Sequence, residues 1–324
     1  MKKYLITLFF MVVFLPLAVD LPVGRMDAFA QVQYSVPETS PNAFLIKRFR
    51  LKFTGDIVES LLSVTLQAEL NNKPVPEYDD SEELINVNSI ALLDAKATFN
   101  FNPIRLTVGR FLTPFDHYTP ISLFNLNTLD YPMIDLDYSP SRQIGIELLM
   151  TLSAMDFWFC VLNGNEKNNY EETDSEKSYI FRLDIKPVKG ITAGFSEYID
   201  NYFLDEAYVK NTKSNVFVSV KENNYFFITQ LSYIEAGGET GVTVYSYGYF
   251  FNLSFYLGQF EITGRYEFID KDSNKPGEVK TRFTGGVNYT IVPNKAQAGI
   301  SYFINGETVE IANNQLLFQL QFTL

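Results

Sequence analysis

Gln315–Leu324 reads Q-L-L-F-Q-L-Q-F-T-L. Leu316, Phe318, Leu320, Phe322 and Leu324 share one parity, and Gln315, Gln319, Gln321 and Thr323 share the other, which Leu317 alone interrupts. Period-two alternation places apolar side chains on one face of a β-strand and polar ones on the opposite face. Two architectures use such a strand. A transmembrane barrel turns the apolar face to lipid and the polar face to a wet lumen. A soluble sandwich turns the apolar face into its core. The rest of the chain has to separate them.

At the other end, Lys2 and Lys3 precede an apolar run from Tyr4 to Val19, and Ala28-Phe29-Ala30 stands before Gln31. Charged start, apolar middle and A-x-A site predict a secretory signal peptide over residues 1–30, cleaved after Ala30. Asp20, Arg25 and Asp27 lengthen the region before the cleavage site, so an N-terminal membrane anchor is the alternative. The single cysteine, Cys160, lies far from this region, which argues against a lipoprotein and excludes an internal disulfide. After Gln31 no stretch approaches the roughly 20 apolar residues of a spanning helix. The expected product is one exported domain, residues 31–324. If it crosses a membrane it must close into a barrel, because closure is the only alternative to helices that leaves no backbone unpaired in lipid.

Mean hydropathy of −0.03 excludes a helical membrane protein but suits a barrel, half of whose strand residues are polar. The net charge of −12 comes with acids gathered between strands: Glu77, Asp79, Asp80, Glu82 and Glu83, then Glu166, Glu171, Glu172, Asp174 and Glu176. An acidic chain without basic loop clusters is no nucleic-acid binder. These acids read as solvated surface, or more sharply as sites where divalent cations bridge to anionic lipid headgroups.

Alternating segments recur throughout. Phe49, Leu51 and Phe53 interleave with Arg48, Arg50 and Lys52, and Leu93, Ala95, Ala97 and Phe99 with Asp94, Lys96 and Thr98. Short connections such as Asn102-Pro103, Thr151–Ala154, Glu222–Asn224 and Val292–Asn294 alternate with longer polar ones, the habit of an outer-membrane barrel. The expected fold is all-β, a transmembrane antiparallel up-and-down β-barrel. Counting back from Leu324 requires a first strand within Gln31–Val36, which gives sixteen strands, with fourteen as the alternative. No amphipathic helix is expected.

The segment F-L-I-K-R-F-R-L-K-F-T-G-D-I at Phe44–Ile57 resembles the opening of the phosphate-selective porin O and P family. So do S-V-T-L-Q-A-E-L at Ser63–Leu70, the V-G-R-F-L-T-P-F element at Val108–Phe115, S-R-Q-I-G-I-E-L at Ser141–Leu148, V-L-N-G-N at Val161–Asn165 and G-Q-F-E-I-T-G-R-Y at Gly258–Tyr266. The similarity runs in order from about residue 44 to the end. It implies a bacterial outer-membrane porin, a water-filled channel for passive diffusion of small hydrophilic solutes or ions, with anions such as phosphate as candidates. The chain departs from the family in ending on Leu324 rather than an aromatic residue and in being short, and the family's phosphate-binding arginines and lysines cannot be matched position by position.

Strand parity assigns Arg48, Arg50, Lys52, Lys96, Arg105, Arg182, Arg265 and Arg282 to the lumen as pore-lining bases, together with Glu69, Asp94, Asp184, Glu261 and Glu267. The longest connection, Leu112–Ser141, carries Asp116, Asp130, Asp135 and Asp137 and no Lys or Arg. A loop of that length within a compact domain is usually functional, and the family likeness implies that it folds inward as a constriction. An acidic loop against a basic wall would set a transverse field across the channel. The same acids argue against a tight phosphate site.

Enzyme activity is not expected. His117, the only histidine, sits in P-F-D-H-Y-T-P with no partnered nucleophile in reach by sequence, and there is no His/Cys metal motif or phosphate loop. No cofactor and no metal are expected. The expected partners are outer-membrane lipid, small solutes or ions, the barrel-assembly machinery through the C-terminal strand, and two further copies in a homotrimer. The alternative from another class is a non-conducting surface barrel or secreted β-protein with an adhesive or structural role.

Overall fold

The computed structural model describes residues 19–21, 24–71, 89–121, 123–164, 176–204, 207–237, 243–308 and 311–324. Lys2, Lys3 and most of the apolar run after them lie outside the described residues, as do the acid clusters of Glu77–Glu83 and Glu166–Asp174.

Sixteen antiparallel strands close into a barrel. They are β1 Gly24–Pro37, β2 Ala43–Val58, β3 Leu62–Asn71, β4 Ser89–Phe101, β5 Ile104–Leu112, β6 Arg142–Thr151, β7 Met155–Leu162 and β8 Ser178–Ile185. The second half comprises β9 Ile191–Leu204, β10 Ala207–Lys221, β11 Tyr225–Gly237, β12 Thr243–Leu257, β13 Phe260–Asp270, β14 Val279–Val292, β15 Ala296–Glu307 and β16 Gln315–Thr323. A three-residue strand, Val19–Leu21, pairs with Gly24–Met26.

The stretch that suggested the fold also closes it. β16 pairs with β1, Gln319 opposite Gln33 and Gln321 opposite Gln31. On the inner face Gln31 Nε2 donates to Gln321 Oε1 (2.9 Å) and Gln33 Nε2 to Gln319 Oε1 (2.7 Å). Alternation thus puts the hydrogen-bonding face of the seam inside and Leu320 and Phe318 outside, exposed. The final residue completes the ladder: Leu324 N–H donates to the Ala28 carbonyl (2.8 Å) and Ala28 N–H to that of Leu324 (3.1 Å).

Polarity is inverted relative to a soluble fold. Leu51, Leu66, Ile146, Phe195, Phe251 and Leu320 stand exposed around the outside, whereas Gln33, Asn215, Asn252, Thr284 and Arg265 are buried inside. A belt of exposed large apolar residues on this scale has lipid as its partner. No helix among the described residues is long and apolar enough to cross a membrane; the strands cross it. Gly109 in the V-G-R-F element has φ +119°, and a methyl there would collide with the Ala95 carbonyl oxygen, so the close β4–β5 approach requires glycine.

Three local expectations are revised. β9 and β10 extend past Tyr198 and before Ser214, so their connection shrinks to two residues and breaks the regular long–short alternation. A six-residue helix, α1 (Met133–Tyr138), forms within the long loop. β1 begins at Gly24 rather than within Gln31–Val36, and its residues Arg25–Ala30 pair with Thr54–Phe49 of β2.

Candidate functional site: the basic wall and the inward loop

The connection from β5 to β6 enters the barrel. Its base is pinched where Thr113 N–H and Oγ1 both donate to the Ser141 carbonyl (3.0 and 2.8 Å). Beyond this point the loop is drawn to one side by apolar contact. Tyr118, Leu123, Leu126, Met133 and Ile134 pack on the lumen-facing Phe226 and Ile228 of β11, Phe250 of β12 and Ile269 of β13. Leu129 packs on Phe303 and Leu317. Leu317, the one apolar residue on the polar parity of the C-terminal strand, therefore faces inward to hold the loop.

Buried ions reinforce this contact. Arg265 and Glu267 of β13 are fully buried and paired (Nε–Oε2 3.1 Å). The Arg265 guanidinium donates to Thr128 Oγ1 (2.5 Å) and to the carbonyls of Asp130 (3.1 Å) and Tyr131 (3.2 Å), while Met133 N–H donates to Glu267 Oε1 (2.6 Å). Arg182 of β8 pairs with Asp184 at 2.8 Å through two nitrogens, and its Nη1 donates to the Asp116 carbonyl (2.6 Å). Its guanidinium lies 4.8 Å from the Trp158 ring centroid and 5.1 Å from that of Phe217. Arg182 and Arg265 do point inward, as parity predicts, but the loop covers both, so they fix the loop rather than face open solvent. Arg282 also points inward, half-buried, and donates to Asn305 Oδ1 (2.7 Å).

The four loop aspartates go to four different places. Asp130 alone meets the early basic strands, at 3.5 Å from Lys47 Nζ and 3.6 Å from Arg48 Nη2. Asp116 turns back into the loop and accepts from Thr119 N–H (2.5 Å) and the Thr119 hydroxyl. Asp135 accepts from Gln230 Nε2 of β11 (2.5 Å), on the far side from the basic wall. Asp137 pairs with Lys271 (2.7 Å). The expected confrontation of a whole acidic loop with a basic wall is thus reduced to one carboxylate, because apolar packing decides which way the loop faces.

Environment separates these acids further. Burial works against the charge of Asp130, but Lys47 and Arg48 outweigh it and hold its carboxyl below the usual range. Burial and the neighbouring Asp116 push Asp135 well above that range. Burial, with Arg182 nearby, pushes the His117 imidazole down to about 3. His117 packs among Tyr118, Phe217 and Phe226, with ring centroids 4.9 to 6.1 Å away, so it is a neutral aromatic filler between the loop and the barrel wall.

With the loop held on the β11–β13 side, space remains along β1–β7. A cavity of about 770 Å³ lies there, and its wall includes Arg50, Lys52, Lys96, Arg105 and Arg142 against Asp94 and Glu147. Arg25 and Asp27 also line it and pair with each other (2.6 Å). The guanidiniums are engaged: Arg50 with Glu69, Arg142 with Asp94 (2.9 Å) and Arg105 with Glu147 (3.4 Å). Among the described residues no carboxylate lies within ion-pair distance of Lys52 or Lys96, whose ammonium groups face the cavity. On the loop's other side a second cavity of about 700 Å³, bordered by Thr192, Lys221, Glu261 and Gln297, carries one base and one acid.

Two residues of this site escape a reading by alternation. Lys47 sits at a bulge, where Gln31 pairs with Arg48 but Val32 with Ile46. The extra residue lets two consecutive side chains reach Asp130, which strict period two forbids. Arg142 shares the parity of the outward Ile144 and Ile146, yet as the first residue of β6, just after Ser141 at φ 59°, it turns in to Asp94.

The family described as phosphate-selective porin O and P matches residues 23–254 of this chain. No curated protein matches. Among solved structures, an anion-selective porin from Comamonas acidovorans is 9% identical, covering 92% of this chain and 98% of that one with a TM-score of 0.69. Salmonella typhi OmpF in complex with daunomycin is 10% identical over 93% and 98%, TM-score 0.69. The trimer form of OmpT, an outer membrane protein of Vibrio cholerae, is 12% identical over 93% and 100%, TM-score 0.67. At these identities the likeness concerns the fold.

Proposed function

We propose, from the premise that this chain belongs to the phosphate-selective porin O and P family, that it passes small anions preferentially, along the basic wall of β2–β6. It is an outer-membrane porin, a channel for passive diffusion of small hydrophilic solutes. The observation that carries the anion preference is the charge of the larger cavity. Downstream of Ala30, five bases line it against two acids, and among the described residues no carboxylate pairs with Lys52 or Lys96. Unpaired charge in a confined lumen concentrates counter-ions far more than charge already neutralised by a neighbour. In this reading Asp130 is the acidic side of the constriction, Arg48, Arg50, Lys52, Lys96, Arg105 and Arg142 the basic side, and Asp116, Asp135 and Asp137 hold the loop in shape.

Processing after Ala30 would leave Gln31–Pro37 as the closing strand, which still spans the glutamine seam with β16. Assembly as a homotrimer is supported by the OmpT trimer of the same fold. The experiment that tests the main reading is the zero-current potential of the purified protein in a planar bilayer under a potassium chloride gradient. A potential of the sign set by chloride supports it, and one set by potassium overturns it.

A further inference from the structure

We propose that the larger cavity favours monovalent organic anions with an apolar body, such as aromatic or branched carboxylates, over inorganic phosphate. This rests on the anion-conducting reading above and specifies the solute. Two observations on opposite sides of the cavity carry it. The barrel wall offers Lys52 and Lys96 as its free cations, whereas every guanidinium lining the cavity is already held by a carboxylate. A phosphate dianion is recognised by several converging, pre-organised donors, with arginine forks the strongest. Lys52 and Lys96 offer only point charges and no such fork, so the cavity lacks the pre-organised donor set that would single out phosphate.

The loop side of the same cavity is largely apolar, with Thr119 and Tyr131 as its polar members. Pro120, Ile121 and Leu123 come from the loop, and Trp158 completes the lining from β7. Ile121 and Trp158 are half-buried, so their surfaces are available to a solute. An inorganic ion gains nothing from such a surface and has to shed water beside it. A carboxylate carrying a ring or branched chain places its charge on the lysines and its hydrocarbon against the loop, removing apolar area from water.

The test compares potassium acetate, benzoate and phosphate as blockers of chloride current through the full-length protein in planar bilayers. Benzoate is expected to half-block at a concentration about tenfold below acetate, which corresponds to about 1.4 kcal/mol, with phosphate no better than acetate. Ile121→Ser should bring benzoate towards acetate. Trp158 is the only tryptophan in the chain, so its fluorescence, excited beyond the benzoate absorption, gives a second readout on the native sequence. It should respond to benzoate at concentrations where acetate and phosphate leave it unchanged. Equal block by all three anions, strongest block by phosphate, or an unresponsive Trp158 would overturn the proposal while leaving anion conduction standing. A zero-current potential set by potassium would instead overturn the reading on which it rests.

Discussion

Replacing Arg265 by Met should release the inward loop. The side chain is 1% exposed and its partner Glu267 is 0% exposed. Arg265→Met strands that carboxylate in a buried site and leaves Thr128 Oγ1 and the Asp130 and Tyr131 carbonyls without their donor. Removing one partner of a buried ion pair costs roughly 3–5 kcal/mol, most of it the uncompensated charge. The lost hydrogen bonds are not added separately, because they belong to the same network. At tenfold per 1.4 kcal/mol, the ratio of docked to undocked loop should fall by roughly two to three and a half orders of magnitude. In single-channel recordings the variant should show a raised mean conductance and slow fluctuations between two levels. Protease added to the purified protein should cut between residues 113 and 141, where the parent chain resists. Arg265→Met combined with Glu267→Gln removes both charges and should restore most of the docking, since the apolar contacts of Leu126, Met133 and Ile134 remain. A single variant with parental conductance and protease resistance would refute the claim that this pair fastens the loop.

Other expectations concern the remaining parts of the site. Lys52→Gln and Lys96→Gln should each weaken the attraction for anions by roughly 1 kcal/mol in the wet lumen, moving the zero-current potential towards that of potassium, and the double variant should move it further. Asp130→Asn, which frees Lys47 and Arg48, should move it the opposite way. Leu317→Gln should cost roughly 2 kcal/mol of burial against Leu129 and Phe303, seen as increased current noise in a barrel that still migrates as folded in unheated gels. Asp135 has its folded-state pKa raised, so the folded loop binds more protons than the free one, and docking should weaken as pH climbs from the ordinary carboxylate range towards the raised value. Asp135→Asn, which mimics the protonated acid beside Gln230, should remove that dependence from the noise. Asp116, Arg265 and Glu267 share this environment and must be left intact in the comparison.

The barrel was legible because period two is a property of neighbouring residues. Gln319 and Gln321 against Leu320 and Phe322 state which side is wet, and pairing with Gln31 and Gln33 follows from the need to close the edge. Arg48, Arg50, Lys52, Lys96 and Arg105 face inward for the same reason. The direction of the loop was less legible, since contacts over a hundred residues apart decide it. A signal was nevertheless present: Phe226-Phe227-Ile228 and Phe250-Phe251 are apolar on both parities, which marks strands covered on both faces. In this barrel the inner cover is Tyr118, Leu126 and Ile134. Charge counting alone sent four aspartates towards the basic wall, but of the four it is Asp130 that pairs there, with Lys47 and Arg48. Lys47 and Arg142 were hidden by a bulge and a strand end, where alternation stops applying.

The central claim is that solute moves along the basic wall while the docked loop shields the opposite side. Thr98→Cys places a thiol in the larger cavity and Thr192→Cys places one in the smaller. The native Cys160 is fully buried and so is a silent background. A negatively charged methanethiosulfonate reagent, applied during single-channel recording, should reduce chloride conductance sharply through Thr98→Cys and leave Thr192→Cys close to the parent protein. Loss of current at Thr192→Cys with Thr98→Cys unaffected would contradict it.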